Sequence, residues 1–166
     1  MTFVRSAAIL ALFLCVALYS ACGESANKPA NSTAATASNQ ANTNSNAVRS
    51  NVEELGLLVN VPYEAEDVVW KEYPSQQRLI AVLRFSTADS AKLVNEAEKI
   101  KPSEAASISS ETWFPAELIA QSEMAGDDNL NGRAYAANQF FQEPYISGRV
   151  IRVENTDYFI LDLTAK

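Results

Sequence analysis

The sequence predicts an α+β fold, with one small domain in residues 48–166. We expect an antiparallel sheet of four or five strands with two helices on one face. Two observations lead to this expectation. Apolar and β-branched runs separated by turn residues predict a strand pair near each end of the domain. Between these pairs, two segments combine a capping residue with apolar side chains at helical spacing. The predicted element order is β-β-α-(β)-α-β-β.

The first predicted elements are a short helix and a hairpin. Ser50 and Glu53 form a capping-box pattern for a helix that ends at Gly56. Residues 68–73 are β-branched and aromatic, and residues 74–77 are typical of a turn. Residues 78–85 follow as an almost continuous apolar run. Because such a run is apolar on both faces, it predicts a central strand.

Two helices are predicted in the middle of the domain. Ser86 and Asp89 form a second capping box, and the helix that follows ends before Pro102. Residues 107–112 are weakly strand-like. Thr112 is expected to cap a second helix that starts near Trp113 and stops at Gly126.

The last part of the chain predicts a loop and a hairpin. Residues 126–132 are polar and predict a loop, while residues 133–145 favour no single structure. Residues 149–153 and 158–163 form the clearest predicted hairpin of the chain, and residues 154–157 are expected to turn between them.

The N-terminal segment has the pattern of a signal peptide. Residues 7–19 are almost entirely apolar, and small residues follow them. A helix that spans a bilayer needs about 20 apolar residues, so this run is short for a membrane span. Residues 1–21 are therefore predicted to be a signal peptide.

The residues around Cys22 resemble the cleavage box of bacterial lipoprotein signal peptides. Ser20, Ala21 and Cys22 match that box, whereas Tyr19 stands where an aliphatic residue is usual. The resemblance implies that the Cys22 thiol carries lipid (palmitate among its acyl chains) and that the chain is cut before it. Gly23, where Asp would favour the inner membrane, implies the outer membrane facing the periplasm in a Gram-negative cell. Ordinary secretory cleavage after Ala21, or an uncleaved anchor, remains the alternative.

Residues 22–47 are predicted to be a disordered linker behind the lipidated cysteine. From residue 24 onward they are mainly Asn, Ser, Thr, Ala and Gln, with no aromatic residue and no aliphatic residue larger than Ala. Such a segment buries too little apolar surface to offset its ordering entropy. We expect it to tether the domain to the membrane.

The residue types in the domain argue against the catalytic mechanisms that depend on His or Cys. The chain has no His, and its only cysteines are Cys15 and Cys22. After the expected processing, the domain has neither an imidazole nor a free thiol for general-base or nucleophilic chemistry. From residue 48 there are 11 Lys and Arg against 19 Asp and Glu, a net charge near −8 that disfavours nucleic-acid binding.

The sequence therefore favours a non-enzymatic, lipid-anchored protein of the cell envelope. Its domain is expected to bind or scaffold an envelope protein or peptidoglycan. The alternative is a hydrolase or lyase that uses carboxylates, suggested by the cluster of Glu64, Glu66 and Asp67.

The loop after the second helix contains a weak calcium pattern, the one cofactor that the sequence suggests. Asp127, Asn129 and Asn131 are spaced as oxygen ligands, and Gly132 follows at the turn position. Asn138 stands where a bidentate Glu is needed. The alternative is a tight hairpin turn at Asn131 and Gly132.

An aromatic group near residue 140 is the second candidate site. Phe140, Phe141 and Tyr145 lie close together around Pro144. They would bind a partner if they formed an exposed ledge, and would stabilise the fold if they packed in or beside the core.

Overall fold

A computed structural model describes residues 47–166, which form one antiparallel sheet of six strands with three α-helices. The signal peptide, Cys22 and nearly all of the predicted linker lie outside the described residues. The strands are β1 Ala65–Tyr73, β2 Arg78–Phe85, β3 Glu104–Ser109, β4 Asn129–Ala136, β5 Tyr145–Val153 and β6 Tyr158–Ala165. The helices are α1 Val52–Leu55, α2 Thr87–Ile100 and α3 Ala116–Ala125. None of the helices in the described part has the length and hydrophobicity needed to span a bilayer.

The sheet order is β1-β2-β6-β5-β4-β3, and each strand is antiparallel to its neighbours. The N-terminal hairpin β1–β2 joins the C-terminal hairpin β5–β6 through the pairing of β2 with β6, in which Ala81 lies opposite Leu161. The β6 strand therefore lies in the middle of the sheet, between β2 and β5. The strands β1 and β3 are left at the two edges.

Both predicted hairpins are present, and so is the first long helix. The 3₁₀ turn Pro74–Gln76 and Gln77, at φ 50°, connect β1 to β2. The α2 helix begins after Ser86, whose hydroxyl accepts a 3.1 Å hydrogen bond from the Asp89 amide. Ser86 thus caps the helix as predicted, but the Asp89 carboxylate accepts a 2.9 Å bond from the Ser86 hydroxyl and not from the Ser86 amide, so only half of the capping box forms.

The other helix boundaries shift by a few residues. Asn51, and not Ser50, caps α1 by accepting a 3.0 Å bond from the Glu54 amide. The α3 helix follows Pro115 rather than starting near Trp113, and it ends at Gly126 with φ 80° as expected. Asn51 is as good a cap as Ser50, so composition alone does not choose between them.

The prediction that two helices share one face is wrong. Leu93 and Ala97 of α2 pack in one core, whereas Leu118 of α3 packs in a second core on the other face of the sheet. The β2 strand joins both cores because its alternate residues point to opposite faces. Its continuous apolar run is what a strand covered on both sides requires. We call these surfaces the α2 face and the α3 face.

The predicted count of four or five strands is also wrong, because β4 lies where a polar loop and an unassigned segment were expected. Leu130 is buried on the α3 face and Tyr135 on the α2 face. The rest of β4 is polar or small, so its periodicity is weak. Its backbone is held by ladders to both β3 and β5, and this pairing depends on residues far away in sequence.

Candidate functional site

The aromatic group does not form an exposed ledge. Phe140 is fully buried, and Tyr145 is 5% exposed. Phe141 is half-buried and packs against the core of the α2 face. The structure thus places these residues in or beside the core, which was the alternative to partner binding.

Tyrosine and glutamate side chains form three pairs that connect distant elements. Tyr145 donates a 2.8 Å bond to Glu72, Tyr158 donates one of 2.6 Å to Glu117, and Tyr73 donates to Glu111. Burial and the neighbouring carboxylates raise the pKa of Tyr73 and of Tyr158 to about 12. These hydroxyls therefore stay protonated at neutral pH and hold the fold together.

Asn129 and Asn131 of the calcium pattern lie in an extended strand, whereas Asp127 lies in the bend before it, next to Asp128 at φ 55°. Asn129 and Asn131 belong to β4, opposite Ser109 and Ser107 of β3. The Asp127 carboxylate accepts a 3.2 Å bond from the Asn129 amide, and the Asn129 side chain donates to the Asp127 carbonyl at 3.0 Å. The polar loop expected for residues 126–132 becomes strand from Asn129 onward. The alternative of a tight turn at Asn131 and Gly132 is wrong, because both residues lie within β4. The calcium site itself stays a prediction.

The acidic cluster of the enzyme alternative borders an open cleft. Glu64 and Glu66 of that cluster line this space of about 290 Å³ together with Asp89, whereas Asp67 is not part of its lining. Glu66 lies 3.4 Å from the Arg84 guanidinium, and hydrogen bonds from Lys92 and Ser86 lower the pKa of Asp89. A general acid needs the opposite direction, a pKa raised by burial. Within residues 47–166, no group of three or more His, Cys, Asp or Glu is placed to hold a metal ion.

The two edges of the sheet differ in how they are protected. The β1 edge has a bulge between Ala65 and Asp67, and its Trp70 exchanges two backbone bonds of 2.9 and 2.8 Å with Arg49. Four charged residues also lie on β1: Glu66, Asp67, Lys71 and Glu72. Bulges and charges discourage an edge from pairing with another strand. The β3 edge, in contrast, has regular register, no Lys and no Pro.

The unpaired backbone groups of the β3 edge can be assigned by alternation. The Ser110 amide donates a 2.8 Å bond to the Asp128 carbonyl, so even-numbered residues of β3 bond to β4. The amides and carbonyls of Ala105, Ser107 and Ser109 therefore point away from the sheet. All three residues are exposed, and no backbone partner for them is found in the described part of the chain.

Two arginines lie beside this edge on the α2 face. Arg133 and Arg152 are directly opposite each other on β4 and β5, and Ala105 lies opposite Arg133 on its other side. Arg133 donates two 2.9 Å bonds to Ser103, and Arg152 donates 2.8 Å to Asp157. Separate partners thus hold apart two like charges that would otherwise destabilise the pair.

An open cleft of about 320 Å³ lies against these arginines, with Tyr135, Glu154 and Asn155 in its lining. Guanidinium groups can bind a carboxylate or phosphate with two parallel bonds. Here, much of their donor capacity already goes to Ser103, Thr156 and Asp157. The Glu154 carboxylate also repels an anion. The geometry therefore favours the backbone edge as the binding surface, with the arginines as a neighbouring positive region.

Residues 107–112 were predicted to be weakly strand-like, but no residue of this edge was predicted to be a binding site. The signal of this edge is a scarcity of protective residues, since Glu104 is the one charged residue in the six-residue segment Glu104–Ser109. That scarcity matters only once the strand is known to be at an edge. Comparisons with models of protein families, with curated proteins and with solved structures found no match for this chain.

Proposed function

We propose that this chain is a lipid-anchored protein of the bacterial cell envelope that acts without catalysis. Its domain binds or scaffolds another envelope component, and the lipid on Cys22 keeps it at the membrane. In a Gram-negative cell, Gly23 favours the outer membrane facing the periplasm. The linker up to residue 47 lets the domain reach partners away from the bilayer.

The observation that carries the binding role is the open edge of β3. Ala105, Ser107 and Ser109 offer three sets of unpaired amides and carbonyls in one straight row. An extended segment that adds there as a further strand gains main-chain hydrogen bonds, which is a common mode of peptide recognition. The reactive side chains described above, in contrast, are directed at partners within the domain.

The carboxylate enzyme has less support. Among residues 47–166, two carboxyl groups have a clearly displaced pKa, those of Asp89 and Glu104, and hydrogen bonds from lysines lower both. A general acid at neutral pH requires a raised pKa. For this reason the binding role is the function that the geometry favours.

The anchor is tested by changing Cys22→Ala in cells that express the full chain. We expect palmitate labelling to disappear, because the thiol that receives the lipid is gone. The matched control is Cys15→Ala, which makes the same change within the signal peptide and should leave labelling and membrane fractionation unaltered. Wild-type chain that takes up no palmitate would contradict the anchor.

A further inference from the structure

We propose that the partner at the β3 edge is the β3 strand of a second copy of this chain. The two strands pair antiparallel across a two-fold axis at Ser107, so that two six-stranded sheets join into one of twelve strands. This inference rests on the proposed function, since it names the partner of the same edge.

The alternation of backbone bonds restricts the register. An antiparallel ladder requires that each outward-pointing residue faces another outward-pointing residue, and these are the odd-numbered residues of β3. The two-fold axis requires in addition that each pairing is repeated in reverse on the other copy. Two central registers satisfy both conditions. In the first, Ser107 faces its own copy and Ala105 faces Ser109. In the second, Ala105 faces Ser107.

Side-chain chemistry selects the first register. It places Ile108, which is buried on the α3 face, opposite Ala106 of the copy. Glu104 then lies opposite Ser110. The second register would place the Glu104 carboxylate opposite Ile108 and remove it from water, which is costly. On the α2 face, the first register brings together only the small side chains of Ala105, Ser107 and Ser109.

Local charge is compatible with self-pairing. Glu104 is the one charged residue of β3, and Lys101 lies 2.7 Å from it. No like charges face each other in the chosen register, so the strand is complementary to itself. The β1 edge lacks this property because of its four charges and its bulge. The proposed lipid tether would also favour self-pairing of β3, because it raises the effective concentration of chains that share one membrane.

The dependence of binding on salt concentration distinguishes a second copy of the chain from an acidic peptide that Arg133 attracts. Each domain has a net charge near −8, with 11 Lys and Arg against 19 Asp and Glu from residue 48. Two copies therefore repel each other at long range, and added salt screens that repulsion. Self-pairing should strengthen as ionic strength rises. Binding of an acidic peptide to the arginine region should weaken.

The register is tested by cysteine crosslinking of the full chain in native membranes. We expect Ser107→Cys to give a covalent dimer with a short bis-maleimide, because antiparallel bonded partners lie about 5.5 Å apart between Cα atoms. The matched control Ser109→Cys should give none alone, because the two copies of residue 109 are separated by about 14 Å along the strands. Co-expressed Ala105→Cys and Ser109→Cys chains should crosslink to each other.

A proline variant tests the hydrogen bonds themselves. The Ser107 amide points outward, so Ser107→Pro removes no bond to β4, and proline is tolerated on an edge strand. Added to the Ala105→Cys and Ser109→Cys pair, it should abolish the crosslink and leave the melting temperature of the domain unchanged. A crosslink that survives Ser107→Pro would overturn the proposed pairing.

Other outcomes separate the two proposals. Equal crosslinking of Ser107→Cys and Ser109→Cys, or capture of a different protein in place of the second copy, would overturn self-pairing and leave the anchor intact. Wild-type chain that crosslinks through a free Cys22 would contradict the anchor. The difference between the two β3 cysteine variants would still decide the register.

Discussion

The Tyr145 hydroxyl on β5 donates a 2.8 Å hydrogen bond to Glu72 Oε1 on β1, although β2 and β6 lie between these strands in the sheet. The sheet must therefore curl towards its α2 face at this end. Glu72 Oε2 also lies 3.6 Å from Arg49 Nη1, and Arg49 forms the backbone bridge to the β1 edge. One carboxylate thus connects β5, β1 and the segment that precedes α1.

Removing the Tyr145 hydroxyl should destabilise the domain. We expect Tyr145→Phe to lower the free energy of unfolding by about 1–3 kcal/mol, because a partly buried carboxylate loses a hydrogen bond. Urea unfolding measures the change. Tyr135→Phe is the matched control, since Tyr135 is also buried and no hydrogen bond of its hydroxyl is found among the described residues. Equal losses in both variants would show that the Glu72 contact contributes nothing.

Alkaline pH should weaken the fold through its tyrosines. An unfolded tyrosine loses its proton near pH 10. Burial and a carboxylate partner raise the pKa to about 12 in folded Tyr73 and Tyr158. The free energy of unfolding that these two tyrosines contribute is fully present below the pKa of the unfolded state. It is lost as pH rises through the pKa of the folded state, because the unfolded state releases its protons first.

The measurement is the free energy of unfolding as a function of alkaline pH. Tyr158→Phe should show a shallower fall than the wild type over the range between the unfolded and folded pKa values. Glu117→Gln, which keeps the Tyr158 hydroxyl and removes its carboxylate partner, should also show a shallower fall. Parallel curves for wild type and Tyr158→Phe would contradict the role of the Glu117 pair.

Phe140 and Phe141 should respond differently to truncation. We expect Phe140→Ala to cost about 3–5 kcal/mol, because the ring is fully buried and its removal leaves a cavity. Phe141→Ala should cost less, since this ring is half-buried at the margin of the core. Thermal and urea unfolding measure both. A larger loss for Phe141 would mean that the packing around the 3₁₀ turn Asn138–Phe140 differs from that described.

Gly132 should not tolerate a side chain. A Cβ atom there would lie 2.2 Å from the Arg152 carbonyl oxygen, which belongs to the neighbouring backbone. We expect Gly132→Ala to lower the free energy of unfolding by about 1–3 kcal/mol through overpacking. Gly56→Ala is the control, because its nearest contacts are at an ordinary 3.4 Å. Equal stability of the two variants would contradict the close approach of β4 and β5.

Local signals explain which elements could be predicted. The β2 run is apolar from Leu79 to Leu83 and again at Phe85, and the cap at Ser86 needs only Asp89 three residues later. Both signals act within one segment, so the sequence alone contains them. The cap of α1 and the start of α3 were predicted one or more residues too early, because several neighbouring residues can cap a helix.

The β4 strand shows where local information ends. Gly132 and the asparagines of β4 have low strand propensity, and calcium-loop spacing fits them equally well. Their extended conformation is stabilised by pairing with β3 and β5, which lie elsewhere in the chain. The candidate site depends on the same fact, because Ala105, Ser107 and Ser109 matter only if no strand lies beyond β3.

By itself, the sequence determined the α+β class, both hairpins and the α2 helix, because hydrophobic period and capping act over a few residues. The proposed anchor at Cys22 rests on the sequence alone. Only the tertiary structure decided that α2 and α3 cover opposite faces, that Phe140 and Tyr145 are buried, and that β3 is an open edge. These properties depend on which distant strands pair, and that choice is made by long-range packing.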